Sequence, residues 1–204
     1  MVARSPEHAA RLTEDLPTLK EIVIKLIIFV AASIPILWIS LPSLRRPRSH
    51  GFYRTFAWEA ILALFLLNAE YWFVEPFAWH QIVAWTLLIL SLPLIIGGVW
   101  LLRQVGRPDE HRQDASLIGV EKTTRLVTEG LYRYIRHPFY SSLLFLAWGI
   151  SFKHPSWAGL ALAAAVTVLL VITGKVEESE DIVYFGEKYR EYMKRTKMFV
   201  PFVF

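Results

Sequence analysis

The 204-residue sequence contains no cysteine. This absence excludes disulfides, thiolate zinc sites, iron–sulfur clusters, c-type haem attachment and a thiol nucleophile. The six histidines lie far apart, without the clustering that a membrane di-iron oxygenase needs. The ten glycines form neither GxGxxG nor GxxxxGKS/T, so the phosphate-binding loops of Rossmann and P-loop proteins are absent from the sequence. The common nucleotide-binding folds of soluble proteins are therefore excluded.

Hydrophobic residues are abundant, at 54% of the chain, and the mean hydropathy is +0.38. They lie in blocks of about 20 residues, the length that a helix needs to cross a hydrocarbon layer of about 30 Å. This pattern predicts an all-α integral membrane protein with five transmembrane helices, at 20–41, 56–74, 80–102, 139–152 and 156–173. The last two are separated at Pro155, because proline disfavours helical geometry in the preceding residue.

Lysine and arginine alternate between the segments that join these predicted helices. Four arginines lie in 43–54, seven basic residues in 103–137 and six from 175 onward, whereas 75–79 has none and 153–155 has one. The positive-inside rule then places the amino terminus outside and the carboxyl terminus in the cytoplasm. Because the basic residues flank apolar spans, we interpret the net charge of +4 as a consequence of membrane topology and not as a sign of nucleic-acid binding.

We therefore predict one membrane domain over residues 1–204. Residues 1–19 form a polar segment, which is not predicted to be a signal peptide because the apolar stretch after it is too long. The following segments are three helices within 20–102, a cytoplasmic connector at 103–138, a helical hairpin at 139–173 and a carboxyl-terminal segment at 174–204.

Three ionisable residues lie inside the predicted spans, where charge is costly. Lys25 and Glu70 share a predicted depth on antiparallel helices, and we expect them to form an ion pair. Glu59 lies one turn inside the cytoplasmic end of the second span. We expect its side chain to extend toward Arg45 and Arg46 at the membrane surface.

The segment LVTEGLYRYIRHPFYSS, residues 126–142, combines arginines and aromatic residues with helix-initiation signals. Gly130 permits a turn, and Pro138 suits the first turn of a helix. Arg136 and His137 would then lie beside free helix N–H groups, which attract anions. The same residues are also compatible with a simple anchor at the membrane interface.

A second polar segment begins where the last predicted span ends. Glu177 and Glu178 form either a solvated helix end or the acidic wall of a site for a cationic ligand. The following stretch, FGEKYREYMKRTKMFVPF, places four apolar or aromatic side chains on one helical face: Phe185, Tyr189, Tyr192 and Met193. It predicts an amphipathic helix that lies on or packs under the membrane.

Together the two segments resemble the isoprenylcysteine carboxyl methyltransferase family, which is related to membrane phospholipid methyltransferases. The family pattern is LVxxGxYxxxRHPxY, a helical hairpin, EExxxxxxFGxxYxxY and a terminal proline, and it is matched across residues 120–204. The match includes Gly130, Arg136, His137, Pro138, Glu177, Glu178, Gly186 and Pro201. The resemblance implies that S-adenosylmethionine binds, without a Rossmann fold, in a cytoplasmic pocket made by both motifs.

Residue by residue, the resemblance implies that the cofactor is bound by Thr124, Arg125, Leu126, Val127, Tyr132, His137, Pro138, Phe139, Tyr140 and Glu177. Glu178 is the candidate proton acceptor for an amine substrate, and Arg136 would help to bind the cofactor carboxylate. No metal is implied. The family also has an arginine four residues before the first glutamate, where this chain has Thr173. Lys175 is the nearest substitute, although lysine cannot reproduce a bidentate carboxylate contact.

The expected function is S-adenosylmethionine-dependent methylation of a hydrophobic acceptor, either a prenylcysteine-like carboxylate or a lipid, that enters from the bilayer. The pattern does not select among oxygen, nitrogen and sulfur as the methylated atom, nor does it indicate an oligomeric state. Two alternatives stay open. One is a non-catalytic membrane protein that retains the fold. The other is a sterol-reductase-like enzyme that uses NADPH.

Overall fold

A computed structural model describes residues 18–109, 117 and 119–202. Within these residues the chain forms six α-helices and no strand: α1 Leu19–Leu44, α2 His50–Asn68, α3 Trp79–Gln104, α4 Pro138–Ser151, α5 Trp157–Phe185 and α6 Glu187–Arg195. Short 3₁₀ turns lie at Ala69–Tyr71, Gly119–Glu121 and Gly130–Arg133. The prediction of an all-helical protein is confirmed for the described part of the chain.

Three helices, α1, α3 and α5, are long and apolar enough to cross a membrane, judged by length and composition. They contain the first, third and fifth predicted spans. The other two predicted spans correspond to α2, which has 19 residues and includes Arg54 and Glu59, and to α4, which has 14 residues. The count of five spans stays a prediction.

The ends of two helices differ from the predicted bounds. α2 begins at His50, six residues before the predicted start, because the Ser49 side chain caps it by accepting the Phe52 N–H at 3.2 Å. α5 continues twelve residues beyond the predicted end at 173, because Gly174 is buried against Phe199 within the helix and does not end it. Gly186 then ends α5 with a φ of +66°, a conformation that favours glycine. Lys175, Glu177 and Glu178 are therefore positioned by a rigid helix and not by a tail.

The helices pack in two extensive pairs. α2 packs along α5, and α3 packs along α4, while the α4–α5 hairpin joins the pairs and α1 packs on α2. The central core is formed mainly by α2, α4, α5 and the carboxyl-terminal segment, with buried Ala57, Leu64, Ala147, Ile150, Val166, Leu170 and Phe199. This arrangement brings the carboxyl-terminal half of α5 beside the amino-terminal end of α2.

Polar contacts also hold α1 to the bundle. Lys25 Nζ lies 2.9 Å from Glu70 Oε1, so the predicted ion pair is confirmed. The expectation for Glu59 is wrong, since its Oε2 accepts a hydrogen bond from Ser33 Oγ at 2.6 Å. Ser33 on the facing helix thus binds one oxygen of this carboxyl group within the helix pair, and the side chain does not extend to the arginines at the helix end.

The predicted amphipathic helix near the carboxyl terminus corresponds to α6, which has nine residues. Its predicted inner face is confirmed at Tyr189 and Tyr192, which are buried, while Glu187, Glu191 and Lys194 are exposed. Because Gly186 redirects the chain between α5 and α6, the two tyrosines turn back toward the acidic end of α5.

Candidate functional site

The carboxyl-terminal segment pairs with the backbone of the Arg136–His137–Pro138 motif. The Arg136 N–H donates to Lys197 O at 2.8 Å, and the His137 N–H donates to Met198 O at 3.1 Å. Ser141 Oγ donates to Phe199 O at 2.7 Å. These bonds join the two sequence motifs, which are separated by the helical hairpin, into one continuous wall.

An open cavity lies against this wall, with about 790 Å³ of space that includes the part open to solvent. The first motif contributes Leu126, Val127, Tyr132, Arg136, His137, Phe139 and Tyr140, and the second contributes Glu177, Asp181, Phe185, Tyr189 and Tyr192. The end of α3 and the connector complete the lining with Val99, Leu102, Leu117, Glu121 and Thr123.

Arg136 is held rigidly in the wall of the cavity. Its Nε donates to Glu178 Oε1, and its Nη1 donates to the backbone oxygen of Thr196. Both charged side chains are largely buried, with 10% and 8% of their surfaces exposed. The guanidinium charge is therefore neutralised by the protein itself, and its main effect is to fasten α5 to the carboxyl-terminal segment.

His137 lies between the two adjacent carboxylates of α5. Its Nδ1 is 3.7 Å from Glu177 Oε2, and its Nε2 is 3.4 Å from Glu178 Oε1. The ring also stacks on Tyr140, with 5.4 Å between ring centroids. Burial and stacking fix the imidazole at the amino terminus of α4, where free backbone N–H groups favour an anionic group.

Three buried polar atoms of the cavity wall have no hydrogen-bond partner among the described residues: His137 Nε2, Tyr140 Oη and Glu177 Oε2. Leaving a buried polar atom unpaired costs about 1–3 kcal/mol. A ligand that supplied matching polar groups would recover part of that cost. The acidic and aromatic lining fits a ligand that carries positive charge together with polar and apolar surfaces.

The tyrosines of the cavity are neutral donors at physiological pH. Burial raises the pKa of Tyr132, Tyr189 and Tyr192 above its ordinary value, and nearby carboxylates such as Asp181 raise it further. Tyr192 Oη donates to the backbone oxygen of Tyr132 at 2.6 Å. This bond holds α6 against the turn of the first motif, so α6 closes one side of the cavity.

The amino-terminal end of α2 supplies two functional candidates that the sequence analysis missed. Arg54 is 1% exposed, and its Nη1 donates to both carboxylate oxygens of Glu121, a cavity residue. His50 is completely buried and bonds Glu180 of α5. From the sequence, Arg54 was interpreted only as a topology signal. The spacing of four residues between these two polar side chains, at the end of an apolar helix, was the available clue.

The predicted site residues divide into three groups by position. Eight of the predicted residues line the cavity: Leu126, Val127, Tyr132, Arg136, His137, Phe139, Tyr140 and Glu177. Glu178 lies behind them on Arg136, and Pro138 packs on α3, where Gly98 allows its close approach. Thr124, Arg125 and Lys175 are exposed and lie outside the lining.

A family model described as phospholipid methyltransferase matches residues 79–188, which include α3, the first sequence motif, the helical hairpin and the first part of the second motif. The chain belongs to the phospholipid methyltransferase family. The resemblance to isoprenylcysteine carboxyl methyltransferases is confirmed by a relative named protein-S-isoprenylcysteine O-methyltransferase B, from Arabidopsis thaliana. It is 33% identical over 124 residues, which cover 58% of this chain and 61% of the relative.

Two further relatives are named for a different acceptor. Methanethiol S-methyltransferase 1 of Bradyrhizobium diazoefficiens is 29% identical over 165 residues, covering 76% of this chain and 55% of the relative. Methanethiol S-methyltransferase of Crocosphaera subtropica is 25% identical over 131 residues, covering 60% and 48%. The chain thus spans about half the length of the curated relatives it matches.

Proposed function

We propose that this protein is an S-adenosylmethionine-dependent methyltransferase that acts on a hydrophobic acceptor at the membrane. The observation that carries the proposal is the shared cavity, in which both motifs place unpaired buried polar atoms of Glu177, His137 and Tyr140. Membership of a methyltransferase family and the names of the relatives support the same chemistry.

The cavity offers complementary groups to each part of the cofactor. Glu177 would hold its positive charge, and His137 at the start of α4 would hold its carboxylate. Phe139, Val127 and Tyr132 would contact its flat and apolar parts. When bound, the cofactor supplies a methyl group on a sulfonium, which is already a good leaving group. The protein then needs to orient the acceptor and exclude water.

We propose an uncharged acceptor such as a thiol in preference to a carboxylate. Thr173 occupies the position of the family's arginine, and its hydroxyl donates to Leu169 O at 2.7 Å within its own helix. Lys175 is exposed. Arg136 and Arg54, the arginines described at the cavity, are both engaged by carboxylates. Two relatives named for methanethiol support this preference, and the relative named for isoprenylcysteine keeps a carboxylate as the second candidate.

The alternation of basic residues supports a cytoplasmic location for the cavity. The cavity lies at the end of the bundle formed by the carboxyl end of α3 and the amino end of α4, where the arginine-rich connector also lies. In this orientation the amino terminus is outside, five helices cross the membrane and the acceptor enters between helices from the bilayer.

Calorimetric titration of the nanodisc-held protein with S-adenosylhomocysteine tests the proposal. We expect micromolar binding by the wild type, and a loss of affinity of about a hundredfold or more in Glu177→Gln, because a charged ligand group loses its partner in a desolvated site. Glu187→Gln is the matched control, since Glu187 lies on α6 with 70% of its side chain exposed. Absence of binding by folded wild type would overturn the proposal and favour a non-catalytic membrane protein.

A further inference from the structure

Two chemically different parts of the cavity lie along α5. At the amino terminus of α4, the buried His137 Nε2 and Tyr140 Oη have no hydrogen-bond partner among the described residues. Farther along, the cavity is lined by the aromatic rings of Phe185, Tyr189 and Tyr192. The Phe185 and Tyr189 rings are nearly parallel, with 6.4 Å between their centroids and 16° between their planes. One part thus offers polar contacts, and the other offers aromatic faces.

α5 joins these two parts through three side chains on one helical face. Glu177, Asp181 and Phe185 all line the cavity and follow one another at intervals of four residues. Residues four apart lie above one another on the same face of a helix, separated by a rise of about 6 Å. Glu177 lies beside His137, with 3.7 Å between Oε2 and Nδ1. Asp181 therefore lies between the polar part and the aromatic part, about one turn from each.

The order of these side chains along α5 matches the order of groups in an adenosyl cofactor. The sulfonium is attached to the ribose, and the ribose carries the purine, so the two ribose hydroxyls lie between the charged group and the flat base. When Glu177 faces the positive charge and Phe185 faces the purine, the hydroxyls lie next to Asp181. A carboxylate accepts hydrogen bonds at both of its oxygens, as an acidic side chain does for ribose in dinucleotide-binding folds.

The other carboxylates near the cavity have partners that assign them elsewhere. Both oxygens of Glu121 accept hydrogen bonds from Arg54 Nη1 at 2.5 Å. Glu178 binds Arg136 and does not line the cavity. Among the described carboxylates that line the cavity, Asp181 is therefore the one placed next to the aromatic rings.

We propose that Asp181 binds the ribose hydroxyls of the cofactor and thereby fixes the adenosyl group along α5. The inference rests on the proposed use of S-adenosylmethionine. In this contact both hydroxyls donate hydrogen bonds to the carboxylate, which stays ionised. Asp181 is thus a cofactor-binding residue outside both sets of motif positions matched in the sequence. Its contact distinguishes ribosyl from deoxyribosyl ligands, a selectivity that aromatic stacking on the purine does not provide.

Calorimetry with matched ligands tests this assignment without turnover. The nanodisc-held protein is titrated with S-adenosylhomocysteine and with its 2′-deoxy and 3′-deoxy analogues. We expect the wild type to bind each deoxy analogue about tenfold to a hundredfold more weakly, the usual effect of losing a hydrogen bond to a charged group. Asp181→Ala should weaken S-adenosylhomocysteine binding by a similar factor and should bind all three ligands with nearly equal affinity. A merely structural role would weaken the three ligands equally.

Two further variants separate the contact from a folding defect. Asp181→Asn preserves the shape and one acceptor oxygen, so it should retain part of the preference for the ribosyl ligand. Glu191→Gln is the control, because Glu191 lies on α6 with 63% of its side chain exposed and should leave all three affinities unchanged. Thermal unfolding without ligand identifies any variant whose affinity falls because the protein is misfolded.

Two more ligands distinguish the ribose from the other groups that a carboxylate binds. Sinefungin carries an ammonium group in place of the sulfonium, and S-inosylhomocysteine lacks the amino group of the purine. Because both retain the ribose, Asp181→Ala should weaken them by the same factor as S-adenosylhomocysteine. A larger loss for sinefungin would assign Asp181 to the positive charge. Unchanged affinity for S-inosylhomocysteine would assign it to the purine amino group. Either result would overturn the proposal.

The failure of this inference is distinguishable from the failure of the proposed function. If the wild type binds S-adenosylhomocysteine and its deoxy analogues equally well, or if Asp181→Ala weakens all three by the same factor, the role of Asp181 alone is overturned. If the folded wild type binds none of these ligands, the proposed function fails and the role of Asp181 fails with it.

Discussion

Both ends of the helical bundle bury basic side chains, but they do so with different partners. At the cavity, Arg136 and Arg54 each bind a carboxylate, and the surrounding wall retains unpaired polar atoms. At the opposite end, Lys153 is 1% exposed and donates to Gln81 Oε1 at 2.9 Å and to Trp72 O at 3.3 Å. Its ammonium also lies 3.5 Å from the centroid of the Trp85 ring.

The two arrangements indicate different roles for buried charge. Burial lowers the pKa of Lys153. Its ammonium group contacts uncharged hydrogen-bond acceptors and the face of the Trp85 indole. Gln81 in turn donates to the backbone oxygens of Tyr71 and Lys153, so the cluster ties three chain segments together. This end of the bundle is a structural joint. The cavity end, by contrast, keeps polar atoms available for a ligand.

The largest expected effect comes from removing Arg136. Arg136→Ala leaves the Glu178 carboxylate buried beside His137 without its main partner and frees the carboxyl-terminal segment. Losing one partner of a buried ion pair costs about 3–5 kcal/mol of unfolding free energy. Thermal unfolding in detergent should show this loss, together with weaker S-adenosylhomocysteine binding. Arg136→Lys should recover only part of both. A variant as stable as the wild type would contradict the role given to this ion pair.

Lys153→Ala tests the structural end. We expect a loss of about 2–3 kcal/mol of unfolding free energy, because the variant removes a cation–π contact and leaves a cavity among the indoles. Below its lowered unfolding temperature, the variant should bind S-adenosylhomocysteine as tightly as the wild type. Lys153→Met, which fills the same space, should restore part of the stability. Selective loss of ligand binding in a stable Lys153 variant would show that the two ends are functionally coupled.

The features predicted correctly from the sequence are those that depend on neighbouring residues, namely helix ends and turns. The ends of α1 and α3 lie within three residues of prediction, and the Gly130 turn and the start of α4 at Pro138 follow from local chemistry. The end of α5 was missed because the acidic and basic residues after Thr173 suggest an aqueous tail, although such residues also continue a helix well.

His50 and Arg54 were missed for a different reason. Hydropathy assigns both residues to a loop, and their side chains bind partners 130 and 67 residues away, Glu180 and Glu121. Contacts of that kind depend on how α2 packs against α5 and the connector. The two motifs revealed one wall of the cavity, whereas the α2 side chains that bind Glu121 and Glu180 could be identified only from the tertiary arrangement.

Tyr192→Phe probes how α6 closes the cavity. Removing the hydrogen bond to Tyr132 O should cost about 1 kcal/mol at neutral pH. Burial raises the pKa of Tyr192 in the folded protein, so the phenol stays neutral there at a pH where it begins to ionise in the unfolded chain, near pH 10. This stabilisation is complete below pH 10 and is lost as the pH rises further. The unfolding temperature should therefore fall less from pH 8 to pH 10.5 in Tyr192→Phe than in the wild type. An equal fall in both proteins would contradict this assignment.

The smallest effect is expected at Thr173. Its hydroxyl bonds only the Leu169 carbonyl, which already belongs to the same helix, so Thr173→Val should change the unfolding free energy by less than about 1 kcal/mol. Methyl transfer to a thiol should also be unchanged. A marked fall in turnover at unchanged stability would instead place this hydroxyl in contact with the acceptor.

The central claim is that the cavity between the two motifs transfers methyl groups from S-adenosylmethionine. The most direct measurement supplies methyl-labelled S-adenosylmethionine to the nanodisc-held protein together with an alkanethiol or S-farnesylcysteine. Wild type, Glu177→Gln and Glu187→Gln are compared. With the alkanethiol we predict labelled methyl thioether from the wild type and Glu187→Gln, and little or none from Glu177→Gln; transfer to S-farnesylcysteine would appear as a labelled methyl ester. Equal labelling by all three proteins, or no labelling of either acceptor by folded wild type, would contradict the account.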